Sequence, residues 1–403
     1  MGQPVRNRIK EVYGEEVGKK PIFTLLVDGN SLLKVAMRDE MIGDKGEHVG
    51  GIFQFLIQMK KLMTQRDWDY VYCFFDDKFS GILRYNIYHD YKATRDKHYE
   101  DYRKYEEDEE VSEYWKEFNA KVNKMARYYK QKKYKEDLES GKEMSQKERD
   151  DANFTRERDR LRMYLEELFI RTEMDERGTE ADDLIAYYIK HKKPEDKCVI
   201  VSTDMDLTQL LSDDVYIYNP HLHKNITNRN FKKEFGYPHE NVVTKKILCG
   251  DTSDNISNIS LLSEKKLFET VPEMLERAVT VEEVIEKAKE LIQERLDEKK
   301  KPLKVHENIV NGVANKEYDG DFYEINRKLV DLSEPLLTHE AAEEMEEMMY
   351  APQDPEGRTF ANVYALVKED GITELYNETK FSTFFSSFKP LIKRETERFN
   401  NLG

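Results

Sequence analysis

The sequence predicts an α/β fold in which a central, mostly parallel sheet is flanked by helices. Short apolar runs recur at 22–28, 70–75 and 198–201 with helix-period stretches between them, and each run ends in acid: Asp28, then Asp76, then Asp204 with Asp206. A short run of Val, Ile and aromatic residues bounded by polar ones reads as a buried strand, and strands separated by helical crossovers run parallel. In open sheets of this kind ligands collect beyond the carboxyl ends of the strands, so three strands that each deliver acid there converge on one edge.

The chain has 403 residues, room for one large domain or two to three ordinary ones. Charged residues make up 36% and the mean hydropathy is −0.82, so part of the chain is solvated charge, not core. A net charge of −16 taken alone argues against a polyanion-binding surface, yet carboxylates gathered around metals count as acid while being neutralised in use. Cys73, Cys198 and Cys249 lie in or beside apolar runs without zinc-type spacing, which predicts reduced core cysteines of an intracellular protein. No signal peptide and no bilayer-length apolar run are present, so the expected location is the cytoplasm.

Residues 1–20 read as a polar N-terminal extension. The first strand ends in Asp28 and Gly29, a ligand position or a simple Asp-Gly turn. An amphipathic helix at 50–63 leads to the second strand at 70–75. In 84–105, Arg84, Lys92, Arg95 and Lys97 alternate with Tyr85, Tyr88, Tyr91, Tyr99 and Tyr102, offering cations for phosphates and rings for bases; a solvated helix is the competing reading. Residues 106–160 are almost pure charge with little to bury. Their basic part, 121–135, suits a nucleic-acid backbone, and the acidic part, 106–117, suits a partner or self-shielding. A helix at 160–168 and a short strand at 168–172 follow.

The stretch 178–211 organises the rest. Glu180, Asp182 and Asp183 precede an apolar-periodic helix, with Asp183 three residues after Glu180 and so on a neighbouring position of one face. Asp204 and Asp206, two apart after the strand, point the same way along extended chain. Crowded carboxylates raise one another's pKa unless a cation holds them, and all-oxygen ligation points to Mg²⁺ or Mn²⁺ over zinc. Beyond a strand at 215–220, His221 and His223 lack the carboxylate or cysteine partners of a metal pair. Asp251 and Asp254 stand three apart at an expected helix boundary after Gly250, each with an N-cap as its alternative role. The chain from 272 is helix-periodic, including 281–296 and the acidic 340–349, and predicts no chemistry.

In order, the Asp28 strand end, FFD with Asp76, RYNIYHDYKATR, EADD, STDMDLTQL and GDTSDN resemble the 5′-nuclease superfamily of flap endonucleases and polymerase 5′-exonuclease domains. Within it the pattern is most similar to the ribonuclease H of T-even bacteriophages, through 206–210 and 246–255. The resemblance spans 22–267 with a gap across the charged insert. It implies a PIN-like nuclease domain at 21–230, a helical arch inserted at about 86–165, and a helical C-terminal DNA-binding region at 231–403 with a helix-hairpin-helix-like element at about 240–270.

The resemblance further implies that Asp28, Asp76, Glu180, Asp182 and Asp204 surround a first Mg²⁺, and that Asp183, Asp206, Asp251 and Asp254 serve a second, partly through water, with Mn²⁺ able to substitute. Two such ions supply an attacking hydroxide and relief of charge on the leaving oxygen without a histidine base. Lys92 and Arg95 match residues that contact the scissile phosphate and join Asp28, Asp76, Asp204 and Asp206 as the catalytic set. Tyr91 matches a base-stacking position and Arg84 a further phosphate contact. The turn at 256–266 lacks the family's glycine, which leaves Lys265 and Lys266 to bind duplex phosphate as side chains.

The implied activity is 5′-to-3′ hydrolysis near the 5′ end of RNA–DNA hybrid, flap or nicked duplex, removing primers during replication. Implied partners are a single-stranded-DNA-binding protein or a sliding clamp, in the host cytoplasm if the chain is phage-encoded. Two alternatives stand: a PIN-like ribonuclease, and a non-catalytic structure-specific DNA-binding subunit.

Overall fold

The computed structural model describes residues 20–92 and 146–401, apart from 78, 176 and 317. Arg95, the extension before residue 20 and most of the charged insert lie outside the described residues.

Strands β1 (Ile22–Asp28), β2 (Tyr70–Phe74), β3 (Arg171–Glu173), β4 (Asp196–Val201), β5 (Val215–Asn219) and β6 (Lys224–Ile226) form one sheet in the order β3-β2-β1-β4-β5-β6. All neighbours pair parallel except β6, which turns back antiparallel on β5. The expected mostly parallel sheet is therefore present. Its apolar runs are continuous because both faces are covered. Leu25, Val27, Val71, Cys73, Val199 and Val201 point to one core, while Leu26, Tyr72, Phe74, Cys198 and Ile200 point to the other.

Helices α1 (Gly29–Ala36), α2 (Gly50–Gln65), α3 (Ile82–Ile87), α4 (Gln146–Glu167) and α5 (Ala181–His191) belong to the crossovers. The short strand expected at 168–172 begins later, at 171, because α4 continues to Glu167 and Phe169 takes a positive φ of 59° in the turn. After the sheet come α6 (Asn228–Phe235), α7 (Asn241–Cys249), α8 (Glu264–Thr270), α9 (Val281–Asp297), α10 (Lys304–Asn311), α11 (Phe322–Val330), α12 (His339–Met348), α13 (Phe360–Glu369), α14 (Glu378–Phe385) and α15 (Lys389–Asn400). Helices α1, α2, α4 and α13 to α15 cover one face of the sheet; α5 and α12 cover the other. Cys73 and Cys198 are buried free thiols. Among the described residues no helix is long and apolar enough to cross a membrane.

Two features of the sheet place the site. Strand order reverses between β1 and β4, the switch point where α/β sheets open a crevice. Register then aligns the strand ends: Asp28 pairs with Phe74 and Val27 with Val201. Asp76 and Asp204, two and three residues further on, emerge beside Asp28.

Candidate metal centre

The Asp28 side chain caps α1, its Oδ1 accepting from Ser31 N at 2.9 Å. Its Oδ2 accepts from Ser202 Oγ at 2.7 Å, which ties the end of β1 to the end of β4. A Cβ on Gly29 would run into the Phe75 ring, so only glycine lets α1 start this close to β2. Asp76 reaches α5, its Oδ1 accepting from Ala181 N at 2.8 Å. Asp204 and Asp206 do not sit on extended chain, as their spacing implied; Asp206 opens a 3₁₀ turn, and its N–H donates to Asp204 Oδ1 at 2.8 Å. Both still line the same cavity as Asp28 and Asp76.

Glu180 is the N-cap of α5 and Asp183 its third residue, and the two are neighbours as expected, Asp183 N–H donating to Glu180 O at 3.0 Å and both carboxylates meeting Arg84 Nη1. Glu180 and Asp182 line the cavity, whereas Asp183 turns away from it. Asp183 is completely buried against Arg84: Arg84 Nη2 donates to its Oδ1 at 3.0 Å, Nη1 contacts its Oδ2, and Leu336 N donates to Oδ1 at 2.9 Å. With its oxygens so engaged, Asp183 is not presented as a metal ligand, and this corrects the assignment implied by the resemblance.

Asp251 follows α7 through Gly250, whose φ of 67° and contacts with the Ser257 backbone exclude a Cβ. Asp251 caps no helix. Its Oδ1 accepts from Ser253 N at 2.7 Å and Ser253 Oγ at 2.6 Å, and the chain closes through a bridge between Asp251 and Ile256. This turn aims Asp254 back at the cavity. Asp206, Asp251 and Asp254 each offer an oxygen within 4.8 Å of the others. Lys246, in the last turn of α7, inserts its ammonium between two of them, donating to Asp251 Oδ2 at 2.6 Å and pairing with Asp206. Sequence reasoning passed over Lys246, although a lysine five residues ahead of the second acid group, at a helix end, is a readable signal.

The electrostatics match a cation-binding donor set. Burial, reinforced by Asp76 and Asp204, pushes the Asp28 carboxyl up to about 7. Burial and the charges of Asp204, Asp28, Asp76 and Glu180 push Asp182 far above the usual carboxylate range. Asp206 is raised by burial even though Lys246 opposes the shift. Asp251 goes the other way: burial would raise it, but Lys246 and Ser253 hold it at about 2. Oxygen-only donors that repel one another fit one or more hard divalent ions. A divalent ion must displace the protons of Asp28 and Asp182, so Mn²⁺ binding is expected to release protons at pH 6, with the share from Asp28 falling above pH 7. Calorimetry in buffers of different ionisation heat measures this; a binding heat independent of buffer at pH 6 would contradict it.

The expected phosphate and base contacts are rearranged. Arg84, 5% exposed, donates through Nε to Leu329 O at 2.8 Å and through Nη1 to Glu180 Oε2 at 2.7 Å, besides its two bonds to Asp183. It has no fork left for a phosphate. Tyr91 also borders the cavity, 3% exposed and packed among Tyr88, Ile247 and Ile256, with its hydroxyl donating to Glu180 Oε2 at 3.0 Å. Lys92 lines the cavity, with its ammonium on Glu180 Oε1. Lys265 is 86% exposed and pairs with Glu269, and Lys266 donates to Leu261 O at 2.8 Å; neither lines the cavity. The glycine-free turn closes instead with Asn255 and Leu261 at positive φ, 63° and 69°. Lys34 of α1, exposed on the cavity wall, makes no ion pair among the described residues. Asn30 Oδ1, buried on the same wall, has no hydrogen-bond partner there.

The model of the 5′-3′ exonuclease N-terminal, resolvase-like domain matches residues 23–236. The chain belongs to the 5′-3′ exonuclease family. A 5′-3′ exonuclease of Mycoplasmopsis pulmonis is 39% identical over 90 residues, 22% of this chain and 30% of the relative. One from Aquifex aeolicus is 31% identical over 134 residues, 33% of this chain and 45% of the relative. The match therefore spans less than half of either exonuclease. The T5 5′-exonuclease, solved with divalent metal ions (zinc) bound, superposes with a TM-score of 0.52 at 15% identity, covering 92% of this chain and 99% of that one. That likeness is one of fold, and it includes the helical region beyond the sheet.

Proposed function

We propose that this member of the 5′-3′ exonuclease family is a divalent-metal-dependent nuclease that hydrolyses phosphodiesters near the 5′ ends of RNA–DNA hybrid, flap or nicked duplex. The observation that carries the reading is the convergence of eight of the nine acids named from sequence, Asp183 excepted, on one cavity. Asp28, Asp76, Asp182 and Asp204 would hold one Mg²⁺, or Mn²⁺ in its place, and Asp206, Asp251 and Asp254 a second; Glu180 leaves the first set, since its oxygens are taken by Arg84, Tyr91 and Lys92. When bound, the ions supply neutralisation of phosphate charge and acidification of water. The chain's own residues do the rest. Lys34 offers an ammonium to a backbone phosphate, Asn30 Oδ1 offers an acceptor to orient water or a sugar hydroxyl, and Lys92 keeps Glu180 neutralised at the cavity wall. Primer removal, with a single-stranded-DNA-binding protein or sliding clamp at hand, belongs to the same reading.

The test is cleavage of a 5′-labelled flap and of a hybrid primer, each with a free and a blocked 5′ end, in Mg²⁺ and in chelator. Short 5′ products in Mg²⁺ and none in chelator are expected. Equal cutting of single-stranded RNA away from any junction would replace this reading with a PIN-like ribonuclease.

A further inference from the structure

Residues 329–338 carry no motif, yet their first part walls the acidic cavity: Leu329, Val330 and Leu332 face it. The wall is fastened by side chains from distant parts of the sheet domain. Arg84 Nε donates to Leu329 O at 2.8 Å. Gln209, in the 3₁₀ turn opened by Asp206, donates to Val330 O at 3.1 Å and accepts from Leu332 N at 2.8 Å. Asp183 accepts from Leu336 N at 2.9 Å. Thr338 N then donates to Thr179 Oγ1 at 3.1 Å, beside Glu180. The same Arg84 that grips Leu329 and Asp183 also holds Glu180 Oε2 at 2.7 Å.

We propose that Arg84, Asp183 and Gln209 are positioning residues: they clamp residues 329–338 over the cavity and, through Arg84, set the orientation of Glu180. Asp183 is the anchor of this clamp. A planar guanidinium with its donors fixed in a fork transmits position where an ammonium would not, and a buried carboxylate that accepts three bonds holds that fork in one place. The wall thereby links the chemistry of the sheet edge to the helical region that follows it. What the wall serves rests on the nuclease reading; that it is clamped does not.

The test uses the full chain with Asp183→Asn, Gln209→Leu and, for comparison, Asp206→Asn. Amide exchange at Leu332 and Leu336 is read by hydrogen exchange, and binding of Mn²⁺ alone by calorimetry. Asp183→Asn and Gln209→Leu are expected to speed exchange by about tenfold at Leu336 and Leu332 respectively while keeping the wild-type number of Mn²⁺ ions. Where cleavage is measured, kcat falls with KM little changed. Asp206→Asn is expected to lose an ion and leave exchange at Leu336 as in wild type. Loss of an ion from Asp183→Asn, as from Asp206→Asn, would overturn the proposal, as would unchanged exchange at both amides. Should Asp183→Asn fail to fold, Gln209→Leu, which leaves every charge in place, decides by the same readouts. A wild-type protein that cleaves nothing overturns the nuclease reading alone, because neither readout uses a substrate.

Discussion

Asp182→Asn is expected to reduce cleavage in Mg²⁺ by about a thousandfold or more while making the metal-free protein more stable. The two effects have opposite signs because they have one cause. In the absence of metal Asp182 is crowded by Asp204, Asp28, Asp76 and Glu180, and burial together with those charges raises its pKa well above the ordinary value of 3.8. A carboxyl whose folded pKa lies above its unfolded one favours folding only while protonated in both states, so its relative stability is lost as pH rises from about 4 through the folded value. The amide does not titrate. The stabilisation by asparagine should therefore be absent near pH 4 and grow as pH rises towards 7, where the folded wild-type protein alone still carries the proton. Thermal melts in chelator at the two pH values, with and without added Mn²⁺, measure it. A variant less stable than wild type at pH 7 would mean that Asp182 is held by protein donors and not by electrostatic need for an ion.

Lys246→Met should do the reverse. Its ammonium, 13% exposed, pairs with both Asp206 and Asp251, and those charges hold it protonated against the effect of burial. Removing one partner of a buried ion-pair group leaves the others uncompensated, at a cost of about 2–4 kcal/mol here, where the acids keep some contact with solvent. The lost stability should return on adding Mn²⁺, because a divalent ion then meets the second acid group without a competing lysine. Denaturant titrations in chelator and in Mn²⁺ give the two numbers. Equal stability of variant and wild type in chelator would show that Lys246 is not the resident cation of Asp206 and Asp251.

These two sites also mark what could be read from the chain. Strand-end acids were legible because short apolar runs define strands, and parallel register then forces Asp28, Asp76 and Asp204 to one edge. The direction of Asp183 was not: it does neighbour Glu180, both meeting Arg84 Nη1, but its oxygens are taken by Arg84 and by Leu336 N, which come from distant parts of the chain. Nor was the role of Arg84, whose partner Asp183 lies 99 residues away and whose other bond goes to a main-chain carbonyl. Residues 329–338 left no trace at all for the same reason: they meet Gln209, Asp183 and Arg84 through peptide groups, which every sequence possesses. The missing glycine was visible; that Leu261 holds a positive φ of 69° within this turn was not.

The two ends that border residues 93–145 are moored separately. On one side Lys92 N–H donates to Asp254 O at 2.8 Å and Asn255 Nδ2 to Asp90 O at 2.6 Å. On the other, Glu157 in α4 accepts from Ile52 N at 2.8 Å, and Arg158 donates to Asp76 O at 2.8 Å. Both banks are thus held by bonds among the described residues, one to the acidic turn after α7 and the other to α2 and the end of β2. The direction in which Asp76 and Asp254 face the cavity therefore depends on main-chain carbonyls, Asp76 O and Asp254 O, that anchor the neighbouring segments while both residues line the cavity.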